Sequence, residues 1–352
     1  MSQIAYDTFI EDRLFFPKRT VVKQIEKLLP ELLPDEKYVD GNHVLRDIEV
    51  QHGLLVERAE SIYSFSHLTI QEFLTAQHID YNDIPIEELV DNHLCDKRWR
   101  EVFLLLAGLR KADNLLLAME KKTHSLINNS KLQDLLDWVE KITDYPLENI
   151  RSLAKRAISF SNAINNLSAF IQIDKNQISF MNGMAYDYLI EFANSLAVIK
   201  FNSKTVYIYT NMNQTINIDN DSIDAQTINI VIKEAVKEFI DYVLSIAEYK
   251  IYSHIRYDEL IDNLEKLKQD AIRDKQDKDR LLGISKKINE LWMNTFNLTS
   301  EMMEISESEM ETITDYTYTN LLMLQCKQAV VRVTPEVWKG IESRMLLPVK
   351  ND

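Results

Sequence analysis

The sequence contains little glycine, with only 6 residues in 352, whereas soluble proteins average about 7%. A Walker A phosphate-binding loop needs two glycines about five positions apart, and the glycines here are separated by at least 12 positions. The glycine-rich turns of dinucleotide-binding folds are missing for the same reason. We therefore predict that the chain by itself does not cradle a nucleoside triphosphate.

Cysteine is also scarce, because only Cys95 and Cys326 are present. Neither lies in a CxxC motif, and no HxH or HExxH spacing occurs, so we predict neither a disulfide framework nor a metal site. Asp7 and Glu11 occupy the region where a signal peptide carries basic and then apolar residues. The charge-free stretch 157–173 is too short to cross a bilayer. We expect a cytoplasmic protein that does not associate with membranes.

Basic residues are outnumbered by acidic ones, 40 Lys and Arg against 55 Asp and Glu, which gives a net charge of −15. The imbalance is present in residues 1–80 as well, with 8 basic and 14 acidic side chains. DNA-binding proteins draw much of their affinity from Lys and Arg on phosphates. We therefore predict no DNA partner.

Catalytic motifs are missing too. There is no GxSxG elbow, and neither cysteine has a local setting that would activate it. The many carboxylates fit solvated helix faces. We predict no catalytic residue and a protein that is not an enzyme.

The first 80 residues are predicted to form a winged-helix-like unit. Its expected elements are a helix over 20–29, a helix over 42–52, strands over 54–58 and 61–65, and a helix over 66–79. Pro30 and Pro34 are expected to end the first helix, and Gly53 the second. Thr69 and Glu72 have the spacing of a capping box for the third.

The rest of the chain is predicted to be mainly α-helical, as a bundle or an irregular stack of helix pairs. Apolar stripes at helical spacing recur from Trp99 to Trp292. Residues 197–232 instead alternate and are rich in β-branched types, which predicts a small β insertion. The predicted domains are 1–80, winged-helix-like; 81–196, helical; 197–232, the β insertion; and 233–352, helical.

One long segment lacks basic side chains, since residues 288–326 contain seven acids and no Lys or Arg. It is either a solvated face or a docking face for a basic partner or a second protomer.

Residues 63–76 read YSFSHLTIQEFLTA. This segment resembles the signature that closes the winged-helix part of NACHT-type STAND ATPases, F-x-H-x-T/S-x-Q-E-F/Y-x-A-A, with Thr75 replacing the first alanine. The wing strand 53–58 and the segments 94–109 and 318–348 are also similar to bacterial, notably cyanobacterial, NACHT proteins. The structural residues of the motif are expected to be Phe65, Gln71, Glu72, Phe73 and Trp99, with Phe73 and Trp99 as core anchors.

The resemblance implies a nucleotide role for one residue. In that family a winged-helix histidine contacts the β-phosphate of ADP and helps hold the closed state, and the equivalent residue is His67. The P-loop strand and the acidic metal-binding strand of the NTPase core would precede Met1. We therefore expect no cofactor for this chain alone, and ADP or ATP at His67 only when the core is supplied. A purely structural role for His67 is the alternative.

Three functional hypotheses follow. The first is a non-catalytic sensor or scaffold portion of a NACHT-type signal-transduction ATPase, with prokaryotic antiphage defence as one setting. Its partner would be an upstream-encoded NACHT ATPase or a second copy. The alternative is an autonomous helical protein-interaction adaptor unrelated to nucleotide switching, and the third is a hydrolase without a recognisable motif.

Overall fold

The computed structural model describes residues 1–32, 40–109, 112–144, 151–170, 255–273, 290–330 and 332–349, together with single residues between 188 and 287. The chain divides into two compact units. Unit 1 comprises Met1–Lys122 and Leu322–Trp338, and unit 2 comprises Thr123–Leu321 and Lys339–Asp352. The predicted β insertion over 197–232 lies outside the described residues, and the division into four domains stays a prediction.

Unit 1 begins with a winged helix, whose elements alternate helices with three short strands. In chain order they are α1 (Ser2–Ile10), β1 (Phe16–Pro17), α2 (Lys18–Leu32), α3 (Gly41–Asp47), a π-helical turn (Ile48–His52), β2 (Leu55–Ala59), β3 (Ile62–Phe65) and α4 (Leu68–Tyr81). The sheet has the order β1-β3-β2, and both pairings are antiparallel. Phe16 faces Tyr63 in the register, and Leu55 faces Phe65.

The winged-helix core forms where α2 presents its apolar stripe to the sheet. The buried residues of this core are Ile4, Ala5, Phe16, Val21, Val22, Ile25, Leu45, Leu55, Tyr63 and Phe65. The stripe of α2 repeats at helical spacing, so one face of the helix is buried and the other is left to solvent. The Phe16 and Phe65 rings meet edge to face at 5.9 Å between centroids.

Several sequence predictions need correction here. The first predicted helix continues through Pro30 to Leu32. The predicted capping box does not form, because α4 starts at Leu68 and its N-cap residue is His67. Gly53 does end the second helix, in the left-handed conformation at φ 60°. The helix α1 and the two-residue strand β1 were not predicted. The strand β1 is too short to show an alternating pattern.

The remainder of unit 1 is helical. It contains α5 (Ile86–His93), a 3-10 turn (Lys97–Trp99), α6 (Arg100–Leu109), most of α7 (Asp113–Ser125) and the segment 322–338. The helix α4 packs against α1 and against α6. Because α4 has neighbours on two sides, its buried surface is wider than one apolar stripe.

Unit 2 is also helical in its described part. It contains α8 (Ser130–Thr143), α9 (Ser152–Phe170), α10 (Tyr257–Arg273), α11 (Ser300–Met303), the first part of α12 (Glu307–Ala329) and the end of α13 (Pro335–Arg344). Residues 290–296 are helical as well. Every residue of α9 from Leu153 to Ile164 is buried, which is the pattern of a central helix.

The prediction of a mainly α-helical protein with an N-terminal winged helix is confirmed. The predicted stripe over 185–196 lies almost entirely outside the described residues, and so does most of the stripe over 232–247, of which Ile240 and Val243 are buried. No helix in the described ranges is both long and apolar enough to cross a membrane.

Candidate functional site

The loop between β3 and α4 places His67 at the N-terminal end of a 14-residue helix. His67 has extended backbone angles, φ −138° and ψ 146°, and its carbonyl accepts a hydrogen bond from Ile70 N at 3.1 Å. Its imidazole is exposed and makes no capping hydrogen bond to the first turn, Leu68–Gln71. That turn also carries no acidic residue. The helix N-terminus therefore presents its backbone N–H groups beside an accessible imidazole.

Arg58 of β2 is hydrogen-bonded to the residues that lead into this loop. Its Nε donates to Ser64 Oγ at 2.9 Å, and its Nη2 donates to the carbonyl of Ser66 at 3.1 Å. Ser66 N also donates to the carbonyl of Leu54 at 2.9 Å. The residue before His67 is thus hydrogen-bonded through both its N–H and its carbonyl group. Arg58 had no predicted role, because its partners are known only once the two strands are paired.

Gln71 faces the interior of the winged helix and is 2% exposed. Its Nε2 donates to Thr8 Oγ1 on α1 at 3.0 Å. The hydroxyl of Thr8 in turn donates to the carbonyls of Ile4 and Ala5. Gln71 therefore forms a buried polar link between α4 and α1, and its role is structural, unlike the exposed position of His67. Thr8 was missed because nothing in its local sequence separates it from a surface threonine.

Glu72 is buried as well, with 6% of its surface exposed. Burial raises the pKa of its carboxyl group, and the like charge of Glu101 on α6 raises it further. The charged form of Glu72 is thus disfavoured in the folded chain. This environment makes the residue part of the packing between helices.

The three aromatic residues of the motif have different surroundings. Phe65 is 5% exposed and belongs to the winged-helix core. Trp99 is fully buried, stacked on His93 with ring centroids 4.0 Å apart and in edge contact with Phe9 at 5.1 Å. Phe73 is 42% exposed, so its predicted role as a core anchor is wrong. The face of α4 that is buried carries Gln71, Glu72 and Thr75 instead.

Comparison with known families gives two matches. The family model described as the winged helix-turn-helix domain C-terminal to NACHT matches residues 27–79. The model described as NACHT C-terminal helical domain 2 matches residues 260–348. The two matches support a relation of this chain to the C-terminal portion of NACHT-family proteins. The resemblance read from residues 63–76 is confirmed.

The two matched domains are not NTPase domains, since their descriptions place them C-terminal to NACHT. The winged-helix match covers Phe65, His67, Gln71, Glu72 and Phe73, whereas Trp99 lies between the two matched segments. Searches of curated proteins and of solved structures found no match. Among the described residues, no group of three or more His, Cys, Asp or Glu side chains is placed to hold a metal ion.

Proposed function

We propose that this chain is the non-catalytic sensor and scaffold portion of a NACHT-type signal-transduction ATPase and that it acts by protein–protein contact in the cytoplasm. The observation that carries the proposal is the pair of family matches, one near each end of the chain. The lack of any closely spaced glycine pair supports a role without nucleotide hydrolysis of its own. A bacterial source and a role in antiphage defence belong to the same proposal.

Within such a protein, His67 is proposed to contact a nucleotide phosphate supplied with the NACHT domain. Its exposed imidazole stands at the N-terminus of α4, where it makes no capping hydrogen bond of its own and the first turn carries no acid. Helix N-termini attract anions through their free N–H groups and the helix dipole. Arg58 supports this geometry by holding the carbonyl of Ser66, next to His67.

The energy of one such contact is too small for binding by the isolated chain. A hydrogen bond to a charged group contributes about 1.5–3 kcal/mol, while even millimolar affinity requires about 4 kcal/mol. The chain alone is therefore proposed to bind neither ADP nor ATP measurably. Isothermal titration of the purified chain with ADP and Mg²⁺ is expected to give a Kd weaker than about 1 mM. Micromolar affinity would refute this part of the proposal.

A second experiment tests His67 in its proposed context. The chain is produced together with a NACHT domain supplied as a separate chain, and the ADP retained after purification is measured. His67→Ala is expected to reduce the retained ADP about tenfold, consistent with the loss of one charge-assisted hydrogen bond. His52→Ala, which removes an exposed histidine at the end of the π-helical turn, is the matched control. Equal ADP retention in the two variants would assign His67 a structural role only.

An autonomous adaptor is the second candidate, and the exposed acids of residues 301–311 favour it. The two candidates differ in the partner expected from cells. Co-purification of a NACHT ATPase encoded upstream supports the switch portion, whereas recovery of basic proteins with no NACHT domain supports the adaptor. Loss of phage resistance when the gene is deleted would support the defence setting.

A further inference from the structure

The outer face of α2 carries a row of positive charge. Arg19, Lys23 and Lys27 are all exposed and follow one another at intervals of four residues, which places them along one side of the helix over about 12 Å. Glu26 is the acid on the same exposed side, next to Gly41. We call Arg19, Lys23 and Lys27 the basic row. The opposite side of α2, with Val21, Val22 and Ile25, is buried in the winged-helix core.

A face of opposite charge lies on α11, α12 and the turn between them. Glu301, Glu304, Glu307 and Glu311 are exposed there, and Glu307 and Glu311 share one side of α12 at the same four-residue interval. The buried residues Met303, Ile305 and Met310 alternate with them and attach the segment to its own unit. We call these four glutamates the acidic face.

Both sets of charges are without ion pairs in the part of the chain that the structure describes. The basic Lys131 beside this segment donates its ammonium to the carbonyl of Glu301 rather than to a carboxylate of the acidic face. The side chains of the basic row and of the acidic face are exposed, each set on its own unit. Each is available to a surface of opposite charge.

We propose that the basic row of one copy of this chain docks on the acidic face of a second copy. The partner is identified by charge complementarity, since each copy presents both halves of the contact with the same helical repeat. Two copies that exchange both contacts reciprocally close into a symmetric dimer, whereas one contact between each pair of copies leaves a basic row and an acidic face unused and extends the assembly.

The physical character of the contact sets its strength and its salt dependence. Exposed ion pairs contribute little individually, and a net charge of −15 on each copy opposes association outside the complementary patches. The contact is therefore weak for free chains and becomes effective when copies are held near one another. Screening shortens the reach of these charges from about 10 Å at 0.1 M salt to about 3 Å at 1 M.

A charge-exchange experiment on the full chain tests the proposal. The wild type and two double variants, K23E/K27E and E307K/E311K, are compared by analytical ultracentrifugation at about 0.1 M and 1 M salt. The wild type is expected to self-associate at the lower salt and to dissociate at the higher. Each variant alone is expected to lose at least about tenfold in association constant, because like charges then face one another. A mixture of the two variants is expected to associate as the wild type does, since both of its contacts are complementary again.

Three results would overturn the proposal: a wild type that is monomeric at low salt, variants that associate as well as the wild type, or a mixture that does not recover. The mixture also controls for folding, because misfolded variants cannot complement each other. E87K/E88K, on the exposed side of α5, is the matched charge-reversal control and is expected to associate as the wild type does. None of these variants alters His67 or Arg58, so the outcome is independent of nucleotide contact.

Discussion

Gln71 on α4 donates a hydrogen bond to Thr8 on α1, 63 residues earlier in the chain, with 3.0 Å between Nε2 and Oγ1. Both side chains are buried. The glutamine of the family motif therefore has a structural partner near the N-terminus. The motif contains both this structural residue and an exposed histidine. His67 is exposed at the start of the same helix, while Gln71 joins that helix to α1 one turn later.

Gln71→Ala is expected to destabilise the chain by about 1–3 kcal/mol, because the variant loses a buried hydrogen bond. Urea-induced unfolding followed by circular dichroism measures the change. The control is Gln51→Ala, since Gln51 is exposed and lies in the same winged helix. Similar losses in both variants would contradict the structural role of the Gln71 to Thr8 contact.

The two aromatic residues predicted to be core anchors should differ clearly in how much stability is lost when each is replaced by alanine. Trp99→Ala is expected to cost about 3–5 kcal/mol, because it empties a fully buried site beside Phe9 and His93. Phe73→Ala should cost less than about 1 kcal/mol, because the ring is 42% exposed. Thermal melting of the two variants side by side tests the order. A larger loss for Phe73→Ala would show that α4 is oriented differently.

Glu72→Gln is expected to raise the stability of the chain at pH 7. The pKa of Glu72 is raised in the folded chain by burial and then by Glu101, so folding takes up a proton between the ordinary glutamate pKa and the raised value. Stability from this group is present at low pH and is lost as the pH rises through the folded pKa. The wild type should therefore gain stability relative to Glu72→Gln as the pH falls from the raised pKa of Glu72 towards the ordinary glutamate value. Unfolding measured across this range, with the exposed Glu87→Gln as the control, checks the sign.

The contribution of Lys155 to the stability of the chain has the opposite dependence on pH. Burial lowers the pKa of its ammonium group from 10.5 to about 8, although Asp144 acts against this shift. The unfolded chain then binds more protons than the folded one between these two values, so stability from this group rises with pH across that interval. Lys155→Met should remove the rise. Lys141→Met, which deletes an exposed lysine of α8, controls for the loss of one charge; an unchanged pH profile in Lys155→Met would disprove the burial effect.

Arg156 holds the end of α13 through its guanidinium group. It donates to the carbonyls of Ser343 at 3.1 Å and Glu342 at 3.2 Å, and also to that of Met345. Carbonyls in the last turn of a helix have no partner within the helix, so Arg156→Met is expected to leave those of Glu342 and Ser343 unpaired and to cost about 2–3 kcal/mol. Arg156→Lys should recover little of the lost stability, because an ammonium group lacks the forked geometry of the guanidinium group.

The control for Arg156 is Arg151→Met, since Arg151 is more exposed and only approaches Glu342 at 3.8 Å. Its expected cost is below about 1 kcal/mol. Urea unfolding of both variants supplies the measurement. A small loss for Arg156→Met would indicate that water replaces the guanidinium group.

Sequence patterns predicted α2, α3, β2, β3 and α4 of the winged helix, but neither α1 nor β1. The helix ending at Gly53 and the two strands beyond it formed as expected. The pattern failed for α4, where apolar spacing placed Phe73 inside, whereas the buried side carries Gln71, Glu72 and Thr75. Periodicity identifies a face but cannot show that α1 and α6 cover α4 from two sides.

The sequence by itself determined the resemblance to NACHT-associated domains and the lack of a glycine-rich phosphate loop, because both depend on residues that are adjacent or closely spaced. Tertiary structure alone decided which polar side chains are paired and which are left to solvent. Gln71 meets Thr8, and Arg156 meets the end of α13, across long separations in sequence. No local rule predicts such contacts, since burial and partnership depend on how distant helices pack.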